Sequence, residues 1–174
     1  MPASPVSDSV YATYTTRCKL SGSFTARIHY RLVSRPSNNG VRVGLLVDNP
    51  NYPANPNGVT TERTSFGASD VGVGENYVQN GIDTGGDLIE HATGATTGVL
   101  RVLVRRGFIR SQYADATTSW KPRLIRDSAG DVARAPAYHG HVSLGLQVWA
   151  APPMFAGPAR VTLTRFRITR GHCV

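Results

Sequence analysis

Residues 98–124 read GVLRVLVRRGFIRSQYADATTSWKPRL, and this stretch decides the fold class. Leu100, Val102 and Val104 alternate with Arg101, Leu103 and Arg105, the period of two that marks a half-buried strand. Arg106-Gly107 supplies a tight turn, because glycine tolerates the positive φ that a twisted hairpin requires. Phe108 to Tyr113 returns, residues 115–118 turn again, and Ser119 to Leu124 leads away with Trp120 as an apolar anchor. Strands folded back on one another by short turns predict an antiparallel β-protein.

The flanking sequence repeats the pattern. Phe24, Ala26, Ile28, Tyr30 and Leu32 alternate with Thr25, Arg27, His29 and Arg31, the cleanest amphipathic strand in the chain. Val41, Val43, Leu45 and Val47 carry the next inward face, and Leu46 breaks the alternation, which predicts cover on both faces of that strand. Val142, Leu144, Leu146 and Val148 form another inward series, with Trp149 opposite. The closing strand, Ala159 to Arg170, turns Phe166 and Ile168 inward and Arg165 and Arg167 outward. Residues 48–98 are harder to read: short strands are expected near Val59–Phe66 and Gly86–His91, joined by loops dense in Asn, Pro and Gly. Eight to twelve strands at this turn spacing predict a β-sandwich. No repeat, heptad or amphipathic helix interrupts it.

Composition agrees. The 174 residues are enough for a single domain, 1–174 with a flexible lead-in at 1–9, to bury a core without metal or disulfide help. No run approaches the roughly 20 apolar residues of a membrane span. MPASPVSDSVYATY has neither a basic n-region nor an apolar h-region, so no secretory signal is read there. Met1 is either a natural start or an addition to a domain cut from a longer secreted chain. The net charge is +8, and seventeen of the nineteen basic residues are Arg. Either a polyanion is the partner or the composition is simply biased toward Arg; the dispersal of the charges favours the second reading. Cys18 and Cys173 lie near opposite ends. They are either a disulfide, which would constrain the unfolded chain by on the order of 4–5 kcal/mol, or two unrelated buried thiols. With His172 they lack the paired spacing of a metal site.

The order of features resembles the concanavalin A-like lectin/glucanase sandwich, in its laminin-G-like and DUF1349-like branches. The residues that carry the likeness are SFTARIHYRLV followed by GVRVGLLVDN, the 98–124 hairpin, and HVSLGLQVWAAPP followed by ARVTLTRFRIT. They cover about residues 20–48 and 98–170. The resemblance implies an all-β, two-sheet antiparallel jelly roll with the first and last strands adjacent. It also implies that carbohydrate binding or adhesion is commoner than catalysis, and it favours an extracellular or cell-surface setting.

Candidate chemistry is sparse. No E-x-D-x-E run, G-x-S-x-G elbow or phosphate-binding loop exists. Glu62, Glu75, Asp83, Asp87 and Glu90 cluster in the middle segment, where two of them would serve a glycan hydrolase as acid and base. Asp48, Asn49 and Asn51 offer the hard oxygens that Ca2+ prefers, although Asx-turns are the favoured explanation of them. Tyr52, Asn55, Asn57 and Tyr77 lie in loops suited to a sugar ring. Arg27, His29 and Arg31 share one parity, as do Arg165 and Arg167, so neighbouring strands would assemble a basic patch, extended by Arg101 and Arg105. Such a patch suits an acidic glycan. It lacks the interleaved aromatics of a nucleic-acid platform, so nucleic acid is not the expected partner. The expected function is a non-catalytic carbohydrate-binding module, the alternatives being the hydrolase or a coat-like assembly protein, and a homo-oligomer is left open.

Overall fold

The computed structural model describes residues 10–34, 41–48, 58–65, 73–78, 88–105, 108–125, 141–150 and 159–174. Among them run eleven strands: β1 (Val10–Thr15), β2 (Leu20–Ser34), β3 (Val41–Asp48), β4 (Gly58–Ser65), β5 (Val73–Val78), β6 (Leu88–Ala92), β7 (Thr97–Arg105), β8 (Phe108–Ala114), β9 (Arg123–Leu124), β10 (Ser143–Ala150) and β11 (Arg160–Cys173). They form two antiparallel sheets. The first has the order β1-β10-β3-β4-β5-β6 and the second β11-β2-β7-β8-β9. None of the described helical segments is long and apolar enough to cross a membrane.

The period-two pattern does the sorting. Phe24, Ala26, Ile28, Tyr30 and Leu32 of β2 are buried, and Ile28 lies opposite Leu100, Ala26 opposite Val102 and Phe24 opposite Val104 of β7. From the other sheet, Val43, Leu45, Val47, Val59 and Leu144 close the same core. Sliding either strand by one residue would turn this apolar set to water, which fixes the register. Gly98 is needed where β7 passes Tyr30: any Cβ there would lie 2.5–2.8 Å from the tyrosine ring. On the outer face of β3 and β4, Gly44 and Glu62 are buried and Leu46 is half-buried, so both faces are covered as the broken alternation predicts.

Three expectations are corrected. The first and last strands are not adjacent: β1 pairs with β10, whereas β11 runs along β2. The chain crosses from one sheet to the other between β1 and β2, where Thr16 N donates to Leu144 O and Leu20 and Val142 exchange backbone bonds. β5 was not foreseen, because VGENYV sits among Gly and Asn and its turn signals outweigh its two valines and tyrosine. Trp120 is not an anchor in the core; it is 53 % exposed. Ser119 and Trp120 both take left-handed backbone conformations, with φ 52 and 61, and this swings the ring out of the sandwich. The expected strands at 59–66 and 86–91 are present as β4 and β6, each displaced by a residue or two. Of the two readings of the cysteines, the disulfide is the one formed: Cys18 and Cys173 are bonded, with Cα atoms 5.3 Å apart.

A polar cluster sits inside the sandwich. The buried Arg63 of β4 donates from Nε to Ala95 O (3.1 Å) and from Nη2 to Thr93 O (3.1 Å) and Ala95 O (3.0 Å). It also hydrogen-bonds Tyr30. Thr93 Oγ1 donates to Asp115 Oδ2 (2.8 Å), while Thr61 and Ser111 hydroxyls meet across the sheets at 2.6 Å. Burial, opposed by Arg63 and helped by Asp115, pushes the Tyr30 phenol up to about 12. An unfolded tyrosine ionises near 10. Because the folded value is the higher one, the contribution is present below pH 10 and is lost as pH rises through 12. Ultraviolet titration at 295 nm is therefore expected to show Tyr30 ionising late, with unfolding, and Tyr30→Phe to shrink the late step, to which the half-buried Tyr113 also contributes.

Candidate functional site

The outer face of the β11-β2-β7-β8-β9 sheet gathers the positive charge. With Ala26, Ile28 and Tyr30 turned inward, Arg27, His29 and Arg31 face outward. Arg27 has Arg167 of β11 opposite it on one side and Arg101 of β7 on the other. Three arginines thus stand at one level of three adjacent strands. At the usual strand spacing of about 4.8 Å the row is about 10 Å wide. Its far end is polar: Gln112 of β8 lies opposite Arg101 and accepts from Arg101 Nη1 at 3.1 Å.

A bulge adds a further charge. β11 advances from Thr164, opposite His29, to Arg167, opposite Arg27, so one extra residue is inserted relative to β2. Arg165 occupies the bulge in the left-handed region, φ 54, a conformation that costs a non-glycine residue about 1–3 kcal/mol. Phe166 still packs against the core, and Arg165 is brought close enough to act on His29. Burial first, then Arg165 and Arg27, hold the His29 imidazole below its ordinary pKa. Burial first, then Arg27 and Arg105, likewise lower that of Arg101, which remains charged at neutral pH.

Like charges directly opposite each other in a sheet are destabilising, and nothing described neutralises these. The acidic side chains that are described, Glu62 and Asp115, are each 1 % exposed and engaged elsewhere. Glu62 accepts from Gln147 Nε2 at 2.6 Å, and Asp115 accepts from Thr93, Thr117 and Thr118. Among the described residues the row is therefore repulsive, of the kind a bound anion would relieve.

The remaining candidates fare differently. Tyr52, Asn55, Asn57, Asn49 and Asn51 lie outside the described residues. Asp48 ends β3 opposite Gly58 and Ser143, and Tyr77 stands in β5 opposite Thr60 and Leu88, in a strand rather than a loop. Among the described residues no group of three His, Cys, Asp or Glu side chains could hold a metal ion. The Asn49 and Asn51 proposed as calcium ligands lie outside that set. The register does bring Glu75 directly opposite Glu90. Two features escaped the sequence reading. Gln112 shares the parity of Arg110 but carries no signal of its own. The Asp115 cap was legible in Asp-x-x-Thr, the spacing at which side chain and backbone cap each other.

No family model matches the sequence, and no curated protein matches it. Solved structures do. A legume lectin-like domain from Entamoeba histolytica superposes with a TM-score of 0.60 at 11% identity, over 97% of this chain and 82% of that one. The fold is that of the concanavalin A-like lectins and glucanases. A functionally unknown protein from Saccharomyces cerevisiae gives a TM-score of 0.62 at 19% identity, over 90% of this chain and 72% of its own. The exoplasmic/lumenal domain of VIP36, in its Ca2+/Man3GlcNAc-bound form, gives 0.53 at 11%, over 97% of this chain and 77% of its own. At these identities the likeness concerns the concanavalin A-like fold.

Proposed function

We propose that this chain is a non-catalytic carbohydrate-binding module whose ligand is an acidic glycan held on the outer face of the β11-β2-β7 sheet. The observation that carries the reading is the row Arg167–Arg27–Arg101, set side by side without a described carboxylate. Guanidinium groups recognise carboxylate and sulfate through paired donors in a fixed fork. A row across strands about 4.8 Å apart offers such forks in series to a linear polyanion. His29 and Arg31 extend the face along β2, and Arg165 is added from the bulge. Support from the concanavalin A-like fold is at the level of class, since structural neighbours include a domain solved with a bound oligosaccharide. A disulfide between Cys18 and Cys173 supports an oxidising, extracytoplasmic setting.

A glycan array at physiological salt tests this. Uronate-rich and sulfated glycans are expected to bind, and binding is expected to fade as salt rises. Selective binding of neutral glycans alone would overturn the assignment to the arginine face. A second reading, glycan hydrolysis, has the Glu75–Glu90 pairing in its favour, since two carboxylates on neighbouring strands suit an acid and a nucleophile. Release of reducing ends from an acidic glycan, lost in Glu75→Gln and Glu90→Gln, would move the conclusion to it.

The pH dependence has a defined sign. Burial first, then Arg165 on β11 and Arg27 on its own strand, make His29 gain its proton only below its ordinary 6.5. As pH falls through that lowered value, the face gains one positive charge. Affinity for a sulfated glycan, which keeps its charge there, is expected to rise, and His29→Gln to flatten the rise. The folded protein loses a little stability over the same range, because the depressed pKa disfavours the protonated native state.

A further inference from the structure

We infer that Trp120, on the turn that leads into β9, is a stacking platform for a pyranose ring, an inference that rests on the acidic-glycan reading above. The ring is 53 % exposed, although a tryptophan of ordinary packing buries most of its surface. Its exposure is built in. Ser119 and Trp120 are consecutive non-glycine residues with positive φ, and such strain persists only where the surroundings hold it.

Asp115 is the holder. Its Oδ1 accepts from the backbone N–H of Thr117 (2.8 Å) and Thr118 (3.3 Å) and from the Thr117 hydroxyl (2.5 Å). Thr93 secures Oδ2 from the neighbouring loop, and Trp120 N donates to Asp115 O at 2.9 Å. The backbone that carries the indole is thereby fixed, so stacking a ligand on the ring orders little more than the side chain itself.

The surroundings choose the occupant. Lys121 and Arg123 follow and are exposed. β9 pairs with β8 through Leu124 opposite Gln112, the residue that accepts from Arg101. The strand that follows the ring thus leads to the polar edge of the arginine row, and two exposed cations follow the ring in the chain. A sugar presents an apolar C–H face to an indole and anionic substituents at its rim, which meets both features. An apolar protein partner would leave Lys121 and Arg123 without counter-charge.

The test titrates the full chain with a sulfated, uronate-containing hexasaccharide and, in parallel, with inorganic polyphosphate, which has the charge but no ring. Trp120→Ala is expected to weaken hexasaccharide binding about tenfold and to leave polyphosphate unchanged, while Trp120→Phe retains most of the affinity. In a Trp149→Phe background, where Trp120 is the remaining tryptophan, the hexasaccharide is expected to perturb its fluorescence and polyphosphate is not. Equal affinity of Trp120→Ala and wild type for the hexasaccharide would overturn the platform, even if Arg27→Gln/Arg101→Gln/Arg167→Gln loses both ligands. Equal loss of both ligands in Trp120→Ala would also overturn it, as damage to the turn. A change of mass in sedimentation with sugar affinity intact would assign the ring to a second copy instead. Loss of hexasaccharide binding in Trp120→Ala with the triple variant unaffected would keep the platform and remove the arginine row.

Discussion

Reduction of the Cys18–Cys173 bond is expected to lower the melting temperature by about 10–20 °C. The bond joins positions 155 apart, from the crossover that follows β1 to the end of β11. In the chain-entropy treatment, removing so large a closed loop stabilises the unfolded state by about 5 kcal/mol. For a domain of this size each kcal/mol shifts the midpoint by about 2–4 °C. The native state gives little back, since β11 keeps its ladder along β2 on either side of its bulges, and Val174 N still donates to Lys19 O. The protein should stay folded at 25 °C, because domain stabilities run to about 5–15 kcal/mol. Calorimetry with and without reductant, repeated on Cys18→Ala/Cys173→Ala, measures the effect. Equal midpoints would show that the bond constrains nothing.

Arg63→Ala is expected to cost about 3–5 kcal/mol. Arg63 is 1 % exposed and holds the 93–95 segment by three hydrogen bonds to the carbonyls of Thr93 and Ala95. Truncation leaves those acceptors without the guanidinium, and each unsatisfied buried polar group costs about 1–3 kcal/mol. A cavity beside Tyr30 adds to this. Loosening 93–95 would also release Thr93 from Asp115, and with it the turn that carries Trp120. Arg63→Lys retains the charge but not the fork, and should recover only part of the loss. Denaturant melts rank the three proteins; an unchanged midpoint in Arg63→Ala would contradict the role given to the cluster.

The sandwich was legible because strands with one buried face write their register into the sequence. In Phe24 to Leu32 and in Leu100 to Val104 the alternation decides which side chains turn inward. The charged face followed from the same parity: Arg27, His29 and Arg31 point away from the apolar set, and the closing strand brings Arg167 beside them. What sequence could not show was register between distant strands. The alignment of Arg101 with Arg27, and of Glu75 with Glu90, depends on which strands pair and where each begins. The bulge at Arg165 was hidden for a related reason, since one inserted residue leaves the apolar positions Leu163 and Phe166 looking like an ordinary lapse of alternation. Trp120 misled because a large apolar side chain near a strand ordinarily packs inward; two left-handed residues in succession reverse that. β5 was obscured by its setting, since short strands among Gly and Asn carry stronger turn signals than strand signals.

The central claim is that Arg167, Arg27 and Arg101 bind anionic sugar as one row. Its most direct test is the salt dependence of affinity for a sulfated uronate hexasaccharide, measured for wild type and Arg27→Gln/Arg101→Gln/Arg167→Gln. Binding through charge releases counterions, so log K falls linearly with log salt, by about 0.7–0.9 for each neutralised charge on a nucleic-acid polyanion. A glycan of comparable charge density should behave alike. The account predicts a steep slope for wild type and one flatter by about two to three charges in the triple variant, with weaker binding at low salt. The same slope and affinity in both proteins would contradict it.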